Sequence, residues 1–156
     1  MNPYASHLGA RNSREVIAAT PQRLADLAAQ IGTRVSASPA PGKWSATEIL
    51  CHLADCEIVF CFRLKQSLAQ PYHVIQPFNQ DEWARTYGAM DAPAALDTFR
   101  TVRRWNLALI DGMSADDLAK NLTHPERGEM TVQTVIETMG GHDLNHLGQL
   151  ERIAAM

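Results

Sequence analysis

Hydrophobic positions along this chain recur at helical rather than strand spacing. Leu24, Leu27, Ala28 and Ile31 form one apolar face. Thr20-Pro21 before them reads as an N-cap with proline at the first helical position, and Gly32 as the stop; a shorter helix from Ser13 precedes this segment. Pro39-Ala-Pro-Gly42 is a turn. Ser45-Ala-Thr-Glu48 is a capping-box signature. It opens a second helix whose stripe is Ile49, Leu53, Cys56, Phe60 and Leu64 and which ends near Gln70-Pro71. Residues 71–90 hold two prolines and mixed aromatics, with one helical turn predicted around Gln80–Arg85. A connection of that length is expected to cover something. Asp91 caps a third helix carrying Leu96, Phe99, Val102, Leu109, Ile110 and Met113, which ends near Gly112. Ser114 starts a short turn, and His124–Gly128 is a loop. A fourth helix starts near Thr131 and runs almost to the end, with the stripe Val132, Val135, Ile136, Met139, Leu147, Leu150 and Ile153.

No alternating strand pattern competes with this reading, and no repeat is visible. Four long amphipathic segments predict an all-α, four-helix bundle, and a length of 156 residues favours one domain over 1–156. Unequal connections argue against a simple up-and-down series. The hydrophobic fraction of 46% is that of a globular protein. No apolar stretch approaches the roughly 20 residues of a membrane span. The N-terminus lacks the basic and apolar regions of a signal peptide, so a cytoplasmic protein is expected. The net charge is −3 and the only adjacent basic pair is Arg103-Arg104, which argues against a nucleic-acid partner. Cys51, Cys56 and Cys61 are odd in number and spread around one helix, so they read as small hydrophobes rather than a disulfide framework.

The chemistry is concentrated in histidines. His142 and His146 lie four residues apart, on one helix face and within or beside the apolar stripe. His52 flanks the stripe of the second helix. A buried imidazole needs a partner, and a shared metal ion satisfies three at once. Three nitrogen ligands and an open position make a catalytic zinc-type layout. Helix bundles build such sites between facing helices. Three separately satisfied core histidines, in a bundle without metal, are the plain alternative. His7, His73 and His124 fall in a tail or loops and are read as solvated, with His73 near enough to approach the site. Asp143 either orients a ligand imidazole from behind or points to solvent; Asp55 is one turn from His52 and Glu57 is nearby. Gly140-Gly141 implies either close approach of a neighbouring element or a local break, because glycine costs a helix about 1 kcal/mol relative to alanine. His-Asp-Leu-Asn-His is close to the His-Glu-x-x-His of zinc proteases, but the strand-rich context is missing, and the paired Glu-x-x-His motifs of di-iron bundles are absent.

Several segments resemble the DinB-like (DinB/YfiT) superfamily of metalloenzymes. These are Asn-Pro-Tyr at the start, Ala-Thr-Pro-Gln-Arg-Leu at 19–24, Pro-Gly-Lys-Trp-Ser at 41–45, His52-Leu-Ala-Asp-Cys-Glu57, and His142 through His146 to Gln149. The resemblance covers nearly the whole chain. It implies a four-helix bundle with one long crossover, and a divalent ion of nickel or zinc type held by His52, His142 and His146. It also implies a homodimer, a small-molecule substrate, and either hydrolysis or S-transfer from a low-molecular-weight thiol such as bacillithiol or mycothiol. A metal-binding or interaction protein without turnover, its shell closed by Cys56 or His73, is the competing reading. One departure is Asn79, where many relatives carry aspartate; Asp81 is the nearby candidate to replace it.

Overall fold

A computed structural model describes residues 2–156. The elements in chain order are α1 (Ala5–Leu8), α2 (Ser13–Ile31), α3 (Ala46–Ala69), β1 (His73–Val74), α4 (Gln80–Ala84), α5 (Ala92–Asp111), α6 (Ala115–Leu118), β2 (Asn121–His124), β3 (Gly128–Thr131) and α7 (Val132–Ala154). The capping box at Ser45 and Glu48 forms in full, and the side chains of Asp91 and Thr131 cap α5 and α7.

One helix start is corrected. Thr20-Pro21 does not begin a helix; α2 runs unbroken from an N-cap at Asn12, with Pro21 inside it. An interior proline is costly because it leaves the carbonyl four residues back without its N–H donor. Here that carbonyl belongs to Ile17, and the guanidinium of Arg103 donates to it at 2.8 Å. The bond that Pro21 cannot make is thus made from another helix.

Helices α2, α3, α5 and α7 form a four-helix bundle. The main packed pairs are α3 with α5 and α2 with α7, closed by α3 with α7 and α2 with α5. Consecutive helices α2 and α3 therefore stand on a diagonal, as do α5 and α7. Directions follow from the contacts. The start of α3 (Ala46–Leu53) shares a core with Ala92, Ala95 and Phe99 at the start of α5, while Leu64 shares one with Ile110. These two helices are parallel. Ile17 packs with Met139, and Leu24 and Ile31 with Leu147 and Ile153, so α2 and α7 are also parallel. Arg14 reaching Asp111 sets the two pairs antiparallel. Two parallel neighbours in sequence need a connection that returns along the bundle, and residues 70–91 supply this long crossover. The start of that crossover enters the lower core through Ile75; its end seats buried Tyr87 beside Trp44, with ring centroids 6.3 Å apart.

The bundle is not purely helical. A three-stranded sheet of order β1-β2-β3 pairs His73 with Leu122 in parallel, and Leu122 with Met130 antiparallel. Strands of two to four residues are too short for alternation to register in a hydrophobicity pattern. Their formation buries His73 and His124, which were expected to be solvated; His7 is exposed as expected.

The diglycine does not break α7. A Cβ on Gly141 would lie 2.5 Å from the Tyr4 carbonyl oxygen, and one on Gly140 would lie 3.3 Å from Leu8 and Ser13. The chain's first residues pack directly onto the backbone of α7 one turn from His146, which only glycine permits.

Candidate metal centre

The antiparallel contact of α3 and α7 brings the histidines together. His52 on α3 and His142 on α7 face each other with their Nε2 atoms 3.1 Å apart. The ring centroid of His146 is 4.9 Å from that of His52 and 4.5 Å from that of His142. All three are buried. His146 Nδ1 is 3.0 Å from Oε1 of Gln149, which places the proton on Nδ1 and leaves the Nε2 lone pair available. Trp44 and Tyr4 wall the cluster, their rings 5.1 Å from His52 and 5.1 Å from His142.

Cys56 stands one turn beyond His52, its Sγ 3.5 Å from His52 Nε2. Donor atoms of His52, Cys56 and His142 all lie within 4.8 Å of one another, so these three can hold a metal ion. Tetrahedral ligands on one zinc ion lie about 3.3–3.4 Å apart for two nitrogens and about 3.6 Å for nitrogen and sulfur, at bond lengths near 2.0–2.1 and 2.3 Å. The observed 3.1 and 3.5 Å fit one shared ion. Nδ1 of His142 is buried with no hydrogen-bond partner among the described residues.

Burial sets the charge states. It lowers His52 to a pKa of about 3, with the neighbouring His146 adding to the effect. Burial and the other two imidazoles hold His142 well below its ordinary value, and burial lowers His146 against the opposing bond to Gln149. Three neutral imidazoles are the form that a cation requires. Burial pushes the Cys56 thiol far up, so without an ion it is a neutral thiol.

The candidate carboxylates are engaged elsewhere. Glu57 and Asp143, each 1% exposed, flank Arg103. Arg103 donates through Nε and one terminal nitrogen to Glu57 at 2.8 and 2.7 Å, and through both terminal nitrogens to Asp143 at 2.6 and 3.1 Å. With the bond to Ile17, all five guanidinium N–H groups are used. Asp143 therefore orients no imidazole and does not face solvent; it neutralises Arg103. Asp55 accepts from the Tyr87 hydroxyl at 2.9 Å. Asn79 caps α4 by accepting from the backbone of Asp81 and Glu82, and His73 contacts Gln70, away from the cluster.

Two cavities meet at the histidines. One of about 690 Å³ is lined by His146, Gln149, Trp44 and Asn145; another of about 230 Å³ is lined by His52, Cys56, His142 and Arg63. Tyr4 and Gln80 line both. The crossover thus covers the site through Pro77, Phe78 and Gln80. Among the described residues no helix is long and apolar enough to cross a membrane.

Sequence reasoning did not single out Arg103 as structural. Its signal was present: Phe99, Arg103, Asn106 and Ile110 lie on one face of α5, so two polar residues interrupt an inward stripe.

YfiT from Bacillus subtilis, described as "a probable metal-dependent hydrolase with an unusual four-helix bundle topology", superposes with a TM-score of 0.79 at 18% identity, over 90% of this chain and 84% of that one. A protein of Oceanobacillus iheyensis named "putative metal-dependent hydrolase" is 26% identical over 110 residues, covering 70% of this chain. One of the same name from Bacillus cereus is 22% identical over 110 residues. The chain spans 64% of the length of these curated relatives. Residues 14–150 match the sequence profile of the DinB superfamily, and the chain belongs to that family.

Proposed function

We propose that this protein is a metal-dependent enzyme in which His52, His142 and His146 hold a divalent ion of zinc or nickel type and a small molecule reaches it through the adjoining cavities. The observation that carries this reading is the pairing of His52 and His142 at 3.1 Å from facing helices, beside a third buried imidazole. A bound ion of this kind supplies Lewis acidity, lowers the pKa of water to about 7 in favourable sites, or deprotonates a thiol. The protein's own contribution is to keep three imidazoles neutral, orient His146 through Gln149, and exclude bulk water with Tyr4, Trp44 and the crossover. The names of the relatives favour hydrolysis; S-transfer from a low-molecular-weight thiol uses the same open position. The reaction belongs to the cytoplasm in this reading.

Elemental analysis of protein purified without an affinity tag should find about one ion per chain, and His146→Ala should lose it. An ion content far below one per chain would overturn the metal assignment. A panel of ester and amide substrates, alongside bacillithiol, mycothiol and glutathione with electrophiles, separates hydrolysis from transfer.

One observation favours the non-catalytic alternative: Cys56 Sγ is placed to complete a closed shell. Cys56→Ser decides this. An open catalytic site keeps its ion when the thiol is removed, whereas a closed shell loses it together with folded stability. A homodimer is also proposed, through Ile58 and Phe62 on one exposed stripe of α3 beside exposed Trp105, whose ring Lys65 covers at 5.6 Å. Sedimentation should show a dimer that Phe62→Glu dissociates.

A further inference from the structure

The smaller cavity holds a second chemical feature that metal binding does not use. Arg63 lines it from α3 and is only 9% exposed. Its Nε has no hydrogen-bond partner among the described residues, and its terminal nitrogen makes only a long 3.4 Å contact to the Gln76 carbonyl. The ring of Phe78 lies 5.8 Å from the guanidinium. Among the described residues, no carboxylate pairs with Arg63; Glu126, the carboxylate on the cavity wall, is exposed and makes no ion pair with it. The protein's other buried arginine shows the contrast: Arg103 has two carboxylates and uses every donor. A buried charge without a partner is costly unless something completes it.

The remaining walls point the same way. Arg127 adds a second cation. His124 accepts the Glu126 backbone N–H on Nδ1 at 3.2 Å, so its neutral form carries the proton on Nε2 and can donate. Burial, then the charge of Arg127, lowers Arg63, and burial with both arginines lowers His124. Phe60, Phe78 and Pro77 supply apolar wall, with Phe78 beside Arg63 and the ring of Phe60 6.1 Å from that of His142.

We propose that this cavity binds a small organic anion, with its charged end on Arg63 and its apolar body against Phe60 and Phe78, directed towards His52 and His142. The substrate class is then a carboxylate or phosphate monoester with a compact apolar body, the volume of about 230 Å³ being small for a drug-sized ligand. Its relevance to catalysis rests on the metal-enzyme reading, but its binding does not.

Calorimetry with benzoate, phenyl phosphate and neutral benzamide, on zinc-loaded and chelator-treated protein, tests it. At least one anion should bind both forms, benzamide at least tenfold more weakly, and benzoate against phenyl phosphate tells the two sources apart. Arg63→Gln should lose at least tenfold in anion affinity while keeping its zinc, and Arg63→Lys should recover part of the loss. In the wild type, the Arg63 Nε–H resonance should move with the bound anion and not with benzamide, which keeps the test open where a variant folds poorly. No saturable anion binding, equal binding of benzamide, or unchanged affinity in Arg63→Gln would overturn the proposal. Failure of the metal reading shows up separately, as wild-type zinc content well below one per chain with anion binding intact.

Discussion

Replacing Arg103 by methionine should be among the most damaging single changes in this protein. Methionine matches much of the arginine stem, so little cavity opens. What remains is two carboxylates, Glu57 and Asp143, each 1% exposed and stripped of their only cation. Ile17 also loses its donor, and Pro21 supplies none in its place. Breaking a buried ion pair by removing one partner costs about 3–5 kcal/mol. At about 2–4 °C per kcal/mol for a chain of this size, that lowers Tm by roughly 6–20 °C. Against a typical total of about 5–15 kcal/mol, that is roughly a fifth or more of the whole. Urea denaturation followed by circular dichroism measures the loss, with an unchanged m-value showing that the same two states are compared. The triple variant Arg103→Met, Glu57→Gln, Asp143→Asn leaves no charge in this triad and should be more stable than Arg103→Met alone, a strong departure from additivity. A loss below about 1 kcal/mol for Arg103→Met, or a triple variant weaker than the single, would refute the account of this triad.

Four further outcomes follow from the same structure. Chelator-treated protein should lose stability on acidification: His52 has a folded pKa of about 3, below its unfolded value near 6.5, so the unfolded state binds more protons between them. Urea midpoints should therefore fall as pH drops below about 6.5, His52→Asn should flatten the slope, and a flat wild-type profile would contradict the burial of neutral imidazoles. Gly141→Ala should destabilise by about 1–3 kcal/mol and loosen the N-terminal segment in limited proteolysis, because its Cβ would meet Tyr4 backbone at 2.5 Å. Gly148→Ala, whose nearest neighbour is the flexible end of Arg152 at 3.7 Å, should instead stabilise by about 0.5–1 kcal/mol. Cobalt-loaded protein should show a thiolate charge-transfer band, absent in Cys56→Ser, only where Cys56 joins the shell; loading with no such band leaves an imidazole-only site.

The elements were largely legible. Ser45 with Glu48 and Asp91 cap the helices they were expected to cap, and Thr131 caps the helix expected to start near it, because capping is a bond between a side chain and a backbone within three residues. The inward faces of α3 and α7 were legible for a related reason: burial follows the 3.6-residue period. Local signals failed where a distant group intervened. Thr20-Pro21 has the form of a helix start, and only Arg103, 82 positions further on, makes the interior proline tolerable by bonding Ile17. The sheet escaped notice because β1 has two residues and takes its partner from a hairpin far along the chain.

The site divides along the same line. His142 and His146 share a face by helix periodicity alone, so their pairing needs nothing beyond α7. That His52 meets His142 at 3.1 Å depends on α3 running antiparallel to α7, which the long crossover and the diagonal connections decide. Asp55, Glu57 and Asp143 have equal standing as carboxylates in the sequence. Tertiary packing gives one to Tyr87 and two to Arg103, leaving the imidazoles and the Cys56 thiol as the groups facing one another. Helical periodicity and caps are short-range and can be read from the chain; which buried charges neutralise each other is a property of neighbours in space, and only the folded bundle assigns them.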